Sequence, residues 1–410
     1  MLQGERKHGL PLSGVRVLAV EHIRMGPMGS KWLADAGAEV IKIEPPGTGE
    51  SGRQVILRTG GKKMVTYLFT SLSHNKKSVT LNLKDERGKD LFRRLVEESD
   101  IVWENMRPGA MDRLGLGYVK LKEVNPRIIY VALSGFGHSD IYAGPYRERA
   151  ALENVIQAMS GLMFMAGKEG DPPAYNAAPL SDTITGMIGA YGAVLALQMR
   201  QRTGVGQFVD ISMYDAMVTV NNYAVSYYSR TGSKPPRGEQ FLEGVGGVYK
   251  AKDGPVMVAA SNTSDDMWRR ICSVIGREDL IEHPELRDAL GRVRNTETIV
   301  RPAIGGWIAD KTVAEVVELL SARGVPVSPI QDVQDILACP HLRARNMLVE
   351  VEDPVMGKVT EVGNPIKLSG APELSPGVPP QLGQHNEEIL GGILRLTSSE
   401  LEQLKAAGVV

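Results

Sequence analysis

The feature that most constrains the fold is a recurring order near the start: an apolar run of strand length, a turn, a helix-like segment, then another apolar run. VRVLAVE, from Val15 to Glu21, is followed by the Gly-Pro turn of RMGPMG, by SKWLADAG ending at Gly37, and by AEVIKIE from Ala38 to Glu44. LFRRLVEESD then leads into IVWEN, and IIYVALSG follows. Strands that are apolar throughout need cover on both faces, and the intervening helices return each strand in the same direction. This predicts an α/β fold, a large doubly wound Rossmann-like domain with a mostly parallel sheet.

Further on, SDTITGMIGAYGAVLALQMRQRTG spaces its bulky residues for a long buried helix from near Asp182 to Gly204. RTGSKPPRG, Arg230 to Gly238, collects Gly, Pro and basic residues and marks a boundary. Beyond it, GGVYKAKDGPVMVAA predicts a hairpin turning at Asp253-Gly254, and MWRRICSVIG and VAEVVELLSARG predict amphipathic helices. The expected organisation is a large α/β domain over 1–222, a small α+β domain over 223–326, and a segment over 327–410 packing back on the large domain.

A formal net charge of −1 excludes general attraction to nucleic acid or to an anionic membrane. The N-terminus has no apolar core after its basic residues, and no run of about eighteen apolar residues is visible. Cys272 and Cys339 lie far apart without metal-ligand spacing, which suits a reducing, cytoplasmic setting. His22, His74 and His138 likewise lack such spacing, so no metal is expected. No G-x-S-x-G elbow is present. GTGESGR, Gly47 to Arg53, matches neither the P-loop nor the dinucleotide fingerprint and reads as a surface loop; no flavin or nicotinamide is expected.

An anionic ligand would therefore need a local positive cluster. Lys76, Lys77, Arg107 and Arg113 follow or flank predicted strands, where ligand sites of open α/β sheets gather, and together could hold a nucleotide with several phosphates. Ser181-Asp182 before an apolar helix reads as an N-cap. It also reads as a carboxylate at a strand-to-helix junction, opened to a ligand by Gly186 and Gly189. The two readings are compatible.

Read together, six ordered segments resemble the family III CoA-transferases, a group that includes formyl-CoA:oxalate transferase, carnitine CoA-transferase and the 2-methylacyl-CoA racemases. They are LSGVRVLAVEHIRMGPMGSKWLADAGAEVIKIEPPGTGE, NKKSVTLNL, ENMRPGAMDRLGLGY, NPRIIYVALSGFG, PLSDTITGMIGAYGAVLALQMRQRTGVGQFVDISMYDA and EVGNPIKLSGAPELSPGVPPQLGQHNEEIL. The resemblance implies a nucleophilic aspartate at Asp182 and coenzyme A or acyl-CoA as substrate, with a carboxylic acid acceptor. It implies a CoA site drawn from Arg24, Lys76, Asn105, Met106, Arg107 and Arg113. It further implies a dimer of interlocked rings, a homodimer or a heterodimer with a homologue. Glu153 is a candidate for positioning the acyl group, and Gly246 and Gly247 of the GVGG loop, with the helix start at Asp182, are candidate oxyanion donors.

Arg24 departs from the family pattern, because formyl-CoA transferases carry glutamine there. A guanidinium near the acyl group hints at an anionic acid such as a dicarboxylate, against the alternative of a structural ion pair. Racemases of the family resemble the transferases but remove an α-proton with a histidine thirty residues before the aspartate. That position is Leu152, which cannot move a proton, so acyl-CoA racemisation is the second reading. His138 belongs to an earlier loop and would need a different register.

Overall fold

The computed structural model describes residues 9–54, 67–138, 140–167, 169–238, 245–259, 264–353 and 357–410. The chain divides into two compact units, one of residues 1–160, 176–221 and 340–410, the other of 161–175 and 222–339.

In the larger unit the four apolar runs become β1 (Arg16–Val20), β2 (Glu39–Glu44), β4 (Ile101–Glu104) and β5 (Ile129–Ser134), and the more polar β3 (Lys76–Thr80) and β6 (Phe208–Ser212) join them. They form a six-stranded sheet in the order β3-β2-β1-β4-β5-β6, with every neighbouring pair parallel. This is the expected doubly wound fold. Val17, Leu18, Ile41, Val102, Trp103 and Val131 are fully buried or nearly so, as strands covered on both faces must be. The order reverses between β1 and β4, and ligands of such sheets bind outside the carboxyl ends of the strands at that reversal.

Four helices matter for the site: α1 (Met25–Asp35), α2 (Glu86–Glu97), α3 (Glu153–Met159) and α4 (Leu180–Thr203). The Asp85 side chain caps α2 by accepting from Arg87 N–H, and Leu91, Phe92, Leu95 and Val96 form its buried stripe. Gly204 ends α4 in the left-handed conformation, φ 76°. By length and composition α4 is apolar enough to cross a membrane. It nevertheless buries Ala190, Ala193, Ala196 and Leu197 within the unit and leaves Met187, Tyr191, Leu195 and Met199 exposed. The last segment adds Ile389, Leu390, Leu401 and Val409 to the core that contains Leu18, Ile41 and Val102.

In the smaller unit β7 (Gly247–Lys250) and β8 (Pro255–Val258) form the hairpin, and β9 (Val327–Pro329) pairs antiparallel with β8. The boundary expected between 326 and 327 thus falls inside this sheet. Helices α5 (Asp265–Ile275) and α6 (Val313–Ser321) close a core of Val256, Val258, Trp268, Ile271, Val316 and Leu320.

Candidate active site

Helix α1 leaves β1 and α4 precedes β6, so both run against the strands and begin at the sheet's carboxyl edge. They pack closely because glycine faces glycine. A Cβ on Gly186 would lie 2.7 Å from Met25 O and 2.8 Å from Gly29 N, and one on Gly29 would lie 2.5 Å from Gly186 O. Gly189 admits Trp103 and Leu133, each at 2.9 Å from a Cβ placed there. Gly186 and Gly189 therefore serve packing, in place of the expected opening to a ligand. The crossing sets the head of α1, Arg24, and the first turn of α4, Asp182, at the same end of the unit.

Asp182 does not cap its helix. The N-cap is Pro179, with no side-chain bond, and Glu153, the first residue of α3, supplies the missing acceptor. Glu153 Oε2 accepts from Asp182 N–H at 2.7 Å, and Oε1 accepts from Ser181 N–H at 3.2 Å and from Gln157 Nε2 at 2.7 Å. Gln157 also donates to Asn176 O and Ala178 O, tying the approach to α4 in place. Leu180 N–H and Thr183 N–H bond to Ala178 O and Pro179 O. The amides at the start of α4 are thus already used, which corrects their expected part as oxyanion donors.

The Asp182 carboxyl is pushed up to about 6, first by burial and then by the neighbouring Glu153 charge, while Arg24 pulls it down. Arg24 itself is half-buried, and among the described residues its guanidinium makes no hydrogen bond or ion pair. The structural ion pair weighed for it is not there. The turn before it is locked instead. Asn105 Oδ1 accepts from His22 N–H at 3.0 Å and Asn105 Nδ2 donates to His22 O at 3.1 Å. Ile23 N–H donates to Glu50 Oε2 at 2.9 Å, and Ile23 holds φ 61°, a conformation that a β-branched residue rarely adopts.

Lys76 departs most from expectation. Its ammonium is buried, donating to Glu21 Oε1 and Pro27 O at 2.9 Å each, and burial pushes it down to about 8. Lys42 lies 3.3 Å from the same carboxylate, which these cations hold down at about 2 despite its burial. Lys76 therefore anchors α1 to the sheet and presents no charge to a phosphate. Lys77 is paired with Glu39 and Glu388, and the Asn105 amide is spent on His22.

Beside these groups, at the β1/β4 reversal, lies a cleft of about 670 Å³. Met106 lines it with Val20, His22, Ile43, Leu81, Met111 and Leu114, and Lys84 stands at its wall. Arg107 and Arg113 are exposed on the segment that carries Met106. The apolar strand ends Ile43 and Leu81 were not singled out from sequence, because in a chain rich in buried strands nothing local marks which ends face a cleft. His138 is held by Asp210, which accepts from its N–H at 2.8 Å, and its ring stands 3.8 Å from buried Glu104. Burial pushes Glu104 up to about 8.

Gly244 lies outside the described residues. Gly246 and Gly247 belong to the smaller unit, where Gly247 has φ 150° and a Cβ on it would meet the Arg301 guanidinium at 2.3 Å. That close contact is one reason for glycine there.

The profile of CoA-transferase family III matches residues 12–386. The chain belongs to this family. It is 34% identical over 374 residues to acetyl-CoA:oxalate CoA-transferase of Acetobacter aceti, covering 90% of this chain and 92% of that protein. It is 33% identical to succinyl-CoA–D-citramalate CoA-transferase of Chloroflexus aurantiacus, covering 98% of each. The solved structure of a CAIB/BAIF family protein from Brucella suis superimposes with a TM-score of 0.81 at 30% identity, covering 94% of this chain and all of that one. As a family III CoA-transferase the protein is an enzyme whose substrates are CoA thioesters.

Proposed function

We propose that this CoA-transferase moves CoA from an acyl-CoA donor to a free carboxylic acid through Asp182. The carrying observation is a half-buried carboxylate at the sheet's carboxyl edge that spends neither oxygen on capping its helix. An Asp182 pKa of about 6 leaves most of it ionised at pH 7, and its partial desolvation makes it a stronger nucleophile than a hydrated carboxylate. Asp182 attacks the donor thioester carbonyl; the acyl–oxygen bond forms, the C–S bond breaks, and CoA leaves as thiolate. The thiolate attacks the aspartyl carbonyl of this anhydride, releasing the donor acid and leaving an aspartyl-CoA thioester. The acceptor carboxylate opens the thioester to a second anhydride, and the returning thiolate takes the acceptor acyl group and frees Asp182. No ATP is consumed, because overall the donor thioester is replaced by an acceptor thioester of similar energy.

Glu153 takes the role of positioning residue, fixing the first turn of α4 and keeping negative charge beside Asp182. For CoA, the apolar cleft at the β1/β4 reversal fits an adenine against Met106, with Arg107, Arg113 and Lys84 toward the phosphates; Asn105 and Lys76 act from behind by holding the loops. Gly246 and Gly247 stay candidates for oxyanion donation. The exposed apolar face of α4 suits a second copy of the chain, in keeping with an interlocked dimer, and two unpaired cysteines suit a cytoplasmic setting.

The test is mass spectrometry after incubation with acyl-CoAs and trapping by hydroxylamine. Asp182 is expected to be modified, and Asp182→Ala to lose turnover by several orders of magnitude; turnover within a few-fold of wild type would sink the assignment. Racemisation is the weaker reading, since Leu152 has no base. Solvent deuterium entering the α-carbon of a chiral acyl-CoA without an acceptor acid would favour it.

A further inference from the structure

We infer that Arg24 is the specificity-determining residue of this site and selects acids that carry a second carboxylate; this rests on the transferase reading of Asp182. Arg24 is half-buried and its guanidinium makes no hydrogen bond or ion pair among the described residues, yet the chain holds the backbone leading to it in place at some cost. Asn105 grips both backbone groups of His22, and Glu50 holds Ile23 in a left-handed conformation immediately before it. Strain of this kind persists only where its surroundings over-determine it, and it gathers at ligand-binding positions. The Gly29–Gly186 crossing then fixes Arg24 relative to Asp182 through two rigid helices.

Charge accounting explains why the partner is anionic. Before reaction Arg24 has the Asp182 carboxylate nearby, and the oxygens of Glu153, beside Asp182, are already engaged by Ser181, Asp182 and Gln157. When Asp182 becomes an anhydride or a thioester it loses its negative charge, and Arg24 is left undercompensated. A second carboxylate on the bound acid restores the balance and meets the guanidinium fork with two hydrogen bonds. A terminal methyl in that place leaves the cation half-buried and unpaired.

Succinyl-CoA and butyryl-CoA differ only by carboxylate for methyl, so their ratio of kcat/KM isolates the contact. The same comparison is made with succinate and butyrate as acceptors. Arg24→Gln is expected to lower the succinyl-to-butyryl ratio about 30-fold, within the range of a lost charge-assisted pair, and Arg24→Lys to lower it less, because the charge remains but the fork is gone. A ratio within threefold of wild type in Arg24→Gln overturns the inference. So does an equal loss for both donors together with weaker binding of free CoA, which would mark Arg24 as a phosphate contact. In both cases trapped acyl groups on Asp182 would leave the transferase reading standing, whereas no trapping with any donor would remove that reading and the inference together.

Discussion

At the scale of single residues, the site turns on a carboxylate kept partly out of water. Its folded pKa, about 6, lies above the ordinary value of 3.8. Between about pH 4 and 6 the folded chain therefore binds more protons at this position than the unfolded chain, so stability falls as pH rises through that window and the penalty is complete above 6. A two-unit shift is worth at most about 2.7 kcal/mol, and screening at a half-buried group reduces that to about 1–2 kcal/mol. Asp182→Asn should accordingly raise the melting temperature at pH 7.5 and leave it nearly unchanged at pH 4; equal shifts at both values would disprove the electrostatic origin. In wild type, kcat/KM should fall about tenfold per pH unit below 6 as the nucleophile protonates. Little of this was legible in the chain itself. Ser181-Asp182 has the look of a cap, but the capping carboxylate comes from Glu153, and no local pattern announces a partner 29 positions upstream. Lys76 misled for a related reason: a lysine at a strand start looks like a phosphate hand until the buried Glu21 is found beneath it.

At the scale of elements, the apolar strands and the long helix could be read directly, because continuous burial leaves a continuous apolar trace. The short β6 could not, since Phe208–Ser212 is five residues with mixed polarity and is placed only by pairing with β5. The contact between α1 and α4 was also hidden, although its glycines were in view, because glycine in a helix does not say what comes close to it. Gly186→Ala tests the contact. A methyl there meets the α1 backbone at Met25 O and Gly29 N, which cannot yield as a side chain would, so a loss of about 1–3 kcal/mol is expected in denaturant unfolding. The displaced helix should also move Arg24 relative to Asp182 and lower turnover of the surviving folded enzyme. Full activity with unaltered stability would show that the crossing tolerates a methyl and does not set the Arg24–Asp182 geometry.

At the scale of the whole molecule, the larger unit is closed by the end of the chain, whose Ile389, Leu390 and Val409 complete a core begun by β1. Among the described residues the outer face of α4 has no such cover: Met187, Tyr191, Leu195 and Met199 project along one side. The proposed second copy seated there predicts a dimer in sedimentation equilibrium, and Leu195→Asp should shift it toward monomer or aggregate and reduce activity. A wild-type monomer with full activity would dispose of the dimer.

The Gly29–Gly186 crossing also bears on how such an enzyme can change its diet. The proposed nucleophile belongs to one rod and the residue proposed to sort acids to another, and the two rods meet backbone to backbone at Gly29 and Gly186, with the Trp103 ring packed against Gly29 and Gly189. Under that reading, substitutions at the tip of the first rod retune which acid is accepted while the second rod keeps its place, and losing the Arg24 charge also lets the Asp182 carboxyl titrate higher.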